Sequence, residues 1–181
     1  MNSKSKVSVI ILTYNEAENI VRSIQNTISW AHQVIVLDSY SEDNTVEIAN
    51  SLGAKVVQRK FDNYSAQRNY AIKELQLETD WILFLDADEI PDGKIMLDFL
   101  NSGLHLSMPI ISFECYWYFR EATFRALTTE RCGVLYNRGY LTEELIYHPM
   151  ERWSYEMTQT PRLDKYTFRN EIIMHHFSWV R

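Results

Sequence analysis

Apolar, largely β-branched runs alternate with segments of helical periodicity through the first half of this 181-residue chain. The strand-like runs cover residues 7–12, 34–37, 55–58 and 81–85. The helix-like segments between them lie within residues 17–28, 44–52 and 64–75. This β-α-β-α-β-α-β order predicts an α/β fold with one mostly parallel sheet, right-handed crossovers and helices packed against the sheet.

Polar residues stand at the carboxyl ends of three of these strands. Thr13 follows the first strand, Asp38 ends the second and Asp86 follows the fourth. In open parallel sheets, ligands bind beyond the carboxyl ends of the strands. We therefore expect these three side chains to meet at one edge of the sheet and to form part of a ligand site there.

Residues near the helix ends carry capping signals. Asn15 is predicted to be the N-cap of the first helix, with Glu18 three residues later completing a pair similar to a capping box. Gly53 is placed to end the second helix, since glycine tolerates the left-handed conformation found there. Pro91 suits the first position of a short fourth helix.

Charge and composition narrow the class of protein. The net charge is −6 and no Lys/Arg run occurs, so we expect no nucleic-acid partner. The apolar run at 7–12 is too short for a transmembrane segment or the core of a signal peptide. Cys115 and Cys132 are predicted to be buried thiols in a reducing compartment. These features favour a cytoplasmic chain, with peripheral contact at the inner face of the membrane left open.

The acidic stretch Asp86-Ala87-Asp88-Glu89 comes directly after the fourth strand. Carboxylates two residues apart can present oxygens to Mg²⁺ or Mn²⁺, which prefer oxygen ligands and keep positions open for phosphate. Such a metal would neutralise charge on a departing diphosphate. The alternative is a solvated acidic turn, and the position at a strand end near Asp38 favours the metal site.

The strand-ending Asp38 has two interpretations. Its carboxylate could accept hydrogen bonds from ribose hydroxyls or a base N–H, or it could stabilise the turn that follows. Asp43 and Ser41 also suit the second task, so we favour binding for Asp38 and capping for Asp43. No glycine-rich phosphate loop follows the first strand, which disfavours nicotinamide enzymes and P-loop ATPases. Arg68 could contact a diphosphate instead, with a surface ion pair as the alternative.

Four motifs follow one another in the first half of the chain. Residues 9–16 read VIILTYNE, residues 38–45 read DSYSEDNT, residues 67–69 read QRN and residues 86–89 read DADE. In this order and spacing they resemble family 2 glycosyltransferases, which have the GT-A fold. The similarity is greatest to bacterial enzymes that build lipopolysaccharide core and related surface glycans. It is strong over about residues 7–92 and weaker beyond them.

This resemblance implies an inverting transfer from a nucleoside-diphosphate sugar, with a UDP sugar favoured, to a hydroxyl of a glycan or lipid-linked acceptor. It also implies that Asp86 and Asp88 hold Mg²⁺ or Mn²⁺, with Asp88 as the main ligand. Asp38 would hold the uracil or ribose. The other residues expected to contact the donor are Thr13, Tyr14, Glu16, Arg68 and Ala87.

Inversion requires a general base that takes the proton of the acceptor hydroxyl. The branch that the chain resembles often carries a His-Glu pair in its acceptor half, and the nearest match here is Glu151, preceded by Met150. Glu143 and Glu144, in a stretch similar to a Thr-Glu-Asp motif, are the rival candidates. For each of the three, an exposed surface carboxylate is the alternative.

The late stretch HHFSW at 175–179 resembles another element of that branch. A neutral imidazole there could complete the metal shell or bond a phosphate oxygen. Adjacent residues of a strand point to opposite faces, so only one histidine can serve, and His176 is our choice. The alternative is a structural histidine whose ring nitrogens are hydrogen-bonded within the domain.

The second half of the chain is less regular. Residues 110–119 are aromatic and strand-like, and residues 131–136 are another candidate strand. The aromatic stretch at 116–119 is predicted to be core, with stacking on a sugar ring as the alternative. We expect one domain over residues 1–181, trimmed at its C-terminal end. About 1–92 would form the nucleotide-sugar-binding half and about 93–181 the acceptor-binding half.

Two other functions fit parts of this pattern. A nucleotidyltransferase would carry a glycine-rich, basic loop after the first strand, and residues 13–16 do not supply one. A domain that binds a nucleotide sugar without transferring it is the main alternative, because the pattern leaves the general base open.

Overall fold

The computed structural model describes residues 6–107, 110–138 and 169–180. The strands in these ranges are β1 Val7–Thr13, β2 Gln33–Asp38, β3 Lys55–Gln58, β4 Trp81–Asp86, β5 Glu89–Pro91, β6 Ile110–Asn137 and β7 Arg169–Val180. The helices are α1 Ile20–Thr27, α2 Thr45–Ser51, α3 Tyr64–Glu74 and α4 Gly93–Ser102, and a 3₁₀ turn covers Leu104–Ser107. The three glutamates predicted as general bases, Glu143, Glu144 and Glu151, lie outside the described residues.

These strands form one sheet in the order β3-β2-β1-β4-β6-β7-β5. β1 pairs in parallel with β2 and with β4, and β2 pairs in parallel with β3. β6 runs antiparallel to β4, β5 runs antiparallel to β7, and β6 and β7 are parallel. The prediction of a mostly parallel sheet flanked by helices is therefore confirmed.

Side chains along β1 alternate between two hydrophobic clusters, one on each face of the sheet. Val9 and Ile11 belong to the cluster that includes residues of α1, α2 and α4. Ile10 belongs to the other cluster, which includes Ala71 of α3. Because helices cover both faces, the central strands are continuous apolar runs. Each fully buried Ile or Val contributes roughly 1.5–3 kcal/mol to the free energy of folding, relative to the same side chain left exposed.

The start of α1 differs from its sequence signal. The helix begins at Ile20, and its N-cap Asn19 makes no side-chain capping bond. Asn15 instead adopts a left-handed conformation with φ 57°, and its side-chain oxygen accepts the N–H of Glu42 over 2.8 Å. The prediction of Asn15 as the N-cap is therefore wrong, because its side chain bonds a neighbouring loop in preference to its own helix.

The other two helix-end predictions are closer to the structure. α2 is followed by Gly53 in the left-handed conformation, with φ 84°, as expected. A helix does follow Pro91, but Pro91 ends β5 and α4 begins two residues later, so the prediction of Pro91 at the first helical position is wrong. Asp92 is the N-cap of α4, and its carboxylate accepts the N–H of Ile95 over 3.0 Å.

The second half adds one long strand where the sequence predicted two. β6 is continuous over 28 residues, and Phe113 and Cys115 within it are fully buried. Cys115 is disulfide-bonded, so the prediction of a buried thiol is wrong. A disulfide-bonded cysteine gives no support for a reducing compartment. None of the helices within the described ranges has the length and apolar character needed to span a bilayer.

Candidate active site

The carboxyl ends of β1, β2 and β4 lie side by side. In the strand register, Thr13 of β1 pairs with Asp38 of β2, and Leu12 pairs with Asp86 of β4. The three polar strand ends therefore share one edge of the sheet, as the order of elements predicted. The loops that leave this edge build the candidate active site.

Asp38 is fully buried at this edge, with 0% of its surface exposed. Its Oδ1 accepts hydrogen bonds from the hydroxyls of Thr13 and Ser41, and its Oδ2 accepts from the Ser41 N–H and the Gln58 side-chain amide. Burial alone would raise the pKa of Asp38, but the bonds from Ser41, Gln58 and Thr13 outweigh it and lower the pKa below its ordinary value. The carboxylate is therefore charged, and donors of the protein itself fill its acceptor positions.

The β1–α1 and β2–α2 loops are joined by further hydrogen bonds. The N–H of Asn15 donates to Ser41 Oγ over 2.8 Å, and the N–H of Glu42 donates to Asn15 Oδ1 over 2.8 Å. The N–H of Glu16 donates to Thr45 Oγ1 over 2.8 Å. The two loops therefore form a single hydrogen-bonded wall at the edge of the sheet.

Asp43 bonds in two directions within this wall. Its Oδ2 accepts the N–H of Ala17 over 3.0 Å, and its Oδ1 accepts the N–H of Thr45 over 2.9 Å as well as the Thr45 hydroxyl. Asp43 therefore supports the first turn of α2, as predicted. It also ties that turn to the β1–α1 loop, which the local pattern did not indicate.

The turn from Asp86 to Glu89 places its carboxylates in different environments. Glu89 is only 7% exposed, and its Oε2 accepts the N–H of Asp86 over 3.0 Å. Burial, together with the charges of Asp86 and Asp88, raises the pKa of Glu89 well above its ordinary value. Glu89 supports the turn from the interior, whereas the side chain of Asp86 is 52% exposed.

Arg68 of α3 lies against this acidic turn. Its Nη2 is 3.5 Å from Asp86 Oδ1, and its side chain is 13% exposed. Its guanidinium carbon also lies 6.0 Å from the centre of the Phe84 ring, within the range of a cation–π contact. The cation predicted to contact the diphosphate is thus engaged with the Asp86 carboxylate.

Glu16 adds a fourth carboxylate to Asp86, Asp88 and Glu89 of the acidic turn. Burial raises the pKa of Glu16, the hydrogen bond from Asn19 lowers it, and the charges of Asp88, Asp86 and Asp43 raise it, so that the net shift is upward. A cation bound among carboxylates relieves such repulsion, and oxygen ligands suit Mg²⁺ or Mn²⁺. No set of three His, Cys, Asp or Glu side chains arranged to hold a metal occurs in the described part of the chain. A metal at Asp86 and Asp88 would therefore need further ligands from a substrate or water.

A cavity of about 650 Å³ lies over this edge of the sheet, a volume typical of small-molecule sites. The predicted site residues that line it are Thr13, Tyr14, Glu16, Asp86, Ala87 and Asp88. Asp38 and Arg68 are absent from the described residues that line the cavity. They hold residues that do line it, namely Thr13 and Asp86.

The cavity also contacts residues that the sequence reasoning did not assign to the donor. These are Leu12, Ser39, Lys60, Phe61, Tyr64 and Gln67. Lys60 and Phe61 follow β3, so the rule of carboxyl ends, applied to the third strand, would have found them. Trp117 of β6 lines the cavity too, while Phe113 and Cys115 on the same strand are buried in the core. Trp117, within the aromatic stretch predicted to be core, packs against the core cluster and also lines the cavity, while stacking on a sugar ring stays a prediction.

The backbone of β7 places His176 beside the acidic turn. His176 is in register with Glu89 of β5 on one side and with Trp117 of β6 on the other. A residue of the acidic turn and a residue of the cavity wall therefore flank this position in the sheet.

Comparison with known proteins identifies the family of the chain. The model of the family described as Glycosyl transferase family 2 matches residues 8–180. An uncharacterized glycosyltransferase of Rickettsia bellii (strain RML369-C) is 49% identical over 84 residues, which cover 46% of this chain and 28% of that protein. The uncharacterized glycosyltransferase YibD of Escherichia coli (strain K12) is 28% identical over 152 residues, which cover 78% of this chain and 43% of that protein. The matched segments span less than half of either relative.

Solved structures of glucosyl-3-phosphoglycerate synthase from Mycobacterium tuberculosis have a similar fold. Its complex with phosphoglyceric acid superposes with a TM-score of 0.56 at 19% identity, over 75% of this chain and 57% of that chain. Its complex with Mn²⁺, UDP and glucosyl-3-phosphoglycerate gives a TM-score of 0.53 at 18% identity over the same shares. At this identity the likeness concerns the fold, which is the expected GT-A arrangement. Because the family model covers nearly the whole chain, the protein belongs to glycosyl transferase family 2.

Proposed function

We propose that this protein moves a sugar, with inversion, from a nucleoside-diphosphate sugar to a hydroxyl of a glycan or lipid-linked acceptor. UDP is the favoured nucleotide. The observation that carries the proposal is the shared cavity, where Thr13, Tyr14 and Glu16 line the same space as Asp86 and Asp88. A structural neighbour, glucosyl-3-phosphoglycerate synthase, has been crystallised with Mn²⁺ and UDP-glucose, which supports the donor class.

The nucleotide is proposed to lie against the hydrogen-bonded wall of the β1–α1 and β2–α2 loops. Tyr14 is 56% exposed there and offers an aromatic face to a base. Asp38 was predicted to hold uracil or ribose directly. Because four donors already occupy its carboxylate, we propose that it acts by fixing Thr13 and Ser41, and that any direct contact would displace one of those donors.

We propose that Asp86 and Asp88 would hold Mg²⁺ or Mn²⁺, with His176 of β7 as a further ligand. The bound metal would stabilise negative charge on the departing nucleoside diphosphate. Arg68 would hold the Asp86 carboxylate in position, and Glu89 would hold the Asp86 backbone through its 3.0 Å hydrogen bond. The carboxylate oxygens of Asp86 and Asp88 are ligands of the type that Mg²⁺ and Mn²⁺ prefer, which supports the proposal.

The acceptor is proposed to enter beside Trp117, a cavity residue from the second half of the chain. Attack on the anomeric carbon from the face opposite the diphosphate requires a base for the acceptor proton. Glu151 is the first candidate, with Glu143 and Glu144 as rivals. Replacing each in turn by Gln identifies the base as the residue whose loss abolishes transfer while UDP binding is retained.

Release of UDP from a panel of UDP sugars tests the proposal on the purified protein. We expect release that depends on Mn²⁺ or Mg²⁺, stops with a chelator and accelerates when a hydroxyl acceptor is added. Binding without turnover across a broad donor and acceptor panel would favour a nucleotide-sugar-binding module instead. Failure to bind any nucleoside diphosphate with either metal would rule out both functions.

A further inference from the structure

The loop between β3 and α3 forms a wall of the cavity that the proposed function does not use. It contributes Lys60 and Phe61, and the first residue of α3, Tyr64, lies beside them. The rings of Phe61 and Tyr64 make an edge-to-face contact with centroids 5.2 Å apart. Lys60 thus belongs to a surface of the cavity to which the proposed function assigns no ligand.

Arg59 fixes the conformation of this loop. Its Nη1 donates to Asp62 Oδ1 over 2.8 Å, to Gln67 Oε1 over 2.8 Å and to the Lys60 carbonyl oxygen over 3.0 Å. Its Nη2 donates to Asp62 Oδ2 over 2.8 Å, which completes a bidentate ion pair. The hydrogen bond from Arg59 lowers the pKa of Asp62 to about 2, so the pair is charged at neutral pH.

Two hydrogen bonds, one between backbone groups and one to a side chain, anchor the same loop at its ends. The N–H of Arg59 donates to the carbonyl oxygen of Asp38 over 2.9 Å, which joins the loop to the end of β2. At the other end, Asn63 caps α3, and its Oδ1 accepts the N–H of Ala66 over 2.8 Å. The protein's own bonds therefore hold Lys60 at the cavity without any ligand.

Lys60 differs from the other cations of this region in having no acidic partner among the residues that the structure describes. Arg59 is paired with Asp62, and Arg68 lies 3.5 Å from Asp86. Lys60 is exposed and makes no side-chain hydrogen bond or ion pair with any residue in the described ranges. Its ammonium is therefore available to an anionic ligand in the cavity.

The charges of the cavity indicate where that anion belongs. The ionised carboxylates of Asp86, Asp88 and Glu16 at this cavity carry three negative charges, and Arg68 beside Asp86 carries one positive charge. One divalent cation balances the remaining two, which leaves the diphosphate of a donor without a compensating charge. We propose that Lys60, which lines the same cavity as Asp86 and Asp88, binds the diphosphate of the nucleotide sugar. This inference rests on the proposed function, since it requires a nucleoside diphosphate in the cavity. Lysine suits the task because its ammonium is a compact charge with three donors.

Titration of UDP in the presence of Mn²⁺ tests the inference with Lys60→Ala, Lys60→Arg and the matched control Lys55→Ala. Lys55 is exposed on the same strand-and-loop unit but at the opposite end of β3. We expect Lys60→Ala to weaken UDP binding by roughly tenfold or more, because a hydrogen bond to a charged group is lost. Lys60→Arg should retain most of the affinity, and Lys55→Ala should match the wild type.

Uridine, which lacks phosphate, separates a phosphate contact from a base contact. We expect its affinity to be the same in the wild type and in Lys60→Ala, and the thermal stability of the two unliganded proteins to agree. Equal UDP affinity in the wild type and Lys60→Ala would overturn the inference and leave the proposed function standing. A parallel loss of uridine binding would also overturn it, since Lys60 would then act on the nucleoside. If the wild type bound no nucleoside diphosphate, the proposed function would fail first, and the inference with it.

Discussion

The hydroxyl of Thr13 donates to Asp38 Oδ1 over 2.9 Å, between register partners on β1 and β2. Thr13 is 4% exposed and Asp38 is 0% exposed, so water cannot readily replace this bond. It connects the two strand ends whose loops form one wall of the cavity. The shape of the proposed nucleotide site therefore depends on a buried, charged hydrogen-bond acceptor.

Replacing Asp38 by Asn tests that dependence. The variant keeps the size of the side chain but turns an amide NH₂ toward donors such as Ser41 or Gln58. We expect the free energy of unfolding to fall by roughly 1–3 kcal/mol and UDP binding to weaken. Chemical denaturation and UDP titration measure both. Asp80→Asn, at an exposed position just before β4, is the control, and an unchanged stability of Asp38→Asn would contradict the role given to Asp38.

Replacing Asp88 by Ala tests the metal site. We expect turnover to fall about 100-fold or more, because stabilisation of developing charge is usually the largest catalytic contribution. The affinity for UDP should also lose its dependence on Mn²⁺. Initial rates and UDP titrations with and without Mn²⁺ measure these effects, with Asp98→Ala on the exposed side of α4 as the control. Full activity of Asp88→Ala would remove the metal from the proposed mechanism.

The buried position of His105 leads us to expect a loss of stability at acidic pH. It is fully buried against Trp81, with ring centroids 5.0 Å apart, and neither ring nitrogen has a hydrogen-bond partner among the described residues. Burial lowers the pKa of His105 below its ordinary value, because it disfavours the charged imidazolium. Below about pH 6.5 the unfolded chain therefore binds a proton that the folded chain excludes, and stability falls as the pH falls.

The variant His105→Phe should remove this contribution while keeping an aromatic ring. Between about pH 6.5 and the lowered pKa of His105, the free energy of unfolding should fall more steeply in the wild type than in the variant. We expect the difference to be up to about 1.4 kcal/mol per pH unit. Urea denaturation at a series of pH values from 7 downward measures the difference, and the other titrating groups are common to both proteins. Parallel stability curves for the two proteins would contradict the prediction.

At Gly93, the first residue of α4, the structure leaves no room for a larger side chain. A Cβ at this position would lie 2.7 Å from the carbonyl oxygen of Asn26 and 3.2 Å from Trp30 Cδ1. The same oxygen accepts the Trp30 indole N–H over 2.6 Å, so it cannot move freely. Alanine normally stabilises a helix relative to glycine, but here we expect Gly93→Ala to lower the free energy of unfolding by about 1–3 kcal/mol.

Lys94→Ala is the matched control for that variant, since residue 94 is the exposed next position of α4. Its free energy of unfolding should stay within about 0.5 kcal/mol of the wild type. Thermal or chemical denaturation of the three proteins decides the question. A Gly93→Ala variant more stable than the wild type would mean that α1 and α4 can separate at little cost.

Much of the fold could be predicted because its signals are local. Strands covered on both faces must be apolar throughout, which made β1, β2 and β4 visible as runs, and the helices between them follow the 3.6-residue period. The position of Asp86 after such a run then predicted that it lies at the same edge of the sheet as Asp38, with β1 between them. β5 and the continuity of β6 were not predicted, since a three-residue strand has no periodicity and the length of β6 depends on its pairing with β4 and β7.

The sequence by itself determined the order of elements, the edge at which the site forms and the acidic turn that borders it. Only the tertiary structure decided how the acids divide their tasks, with Asp38 closed off by donors and Asp86 left open to the cavity. The donors that fill Asp38 include Thr13 and Gln58, which are 25 and 20 residues away along the chain. Strand register and contacts between loops decide which groups surround a carboxylate. A local pattern of residues does not encode contacts between groups that lie so far apart along the chain.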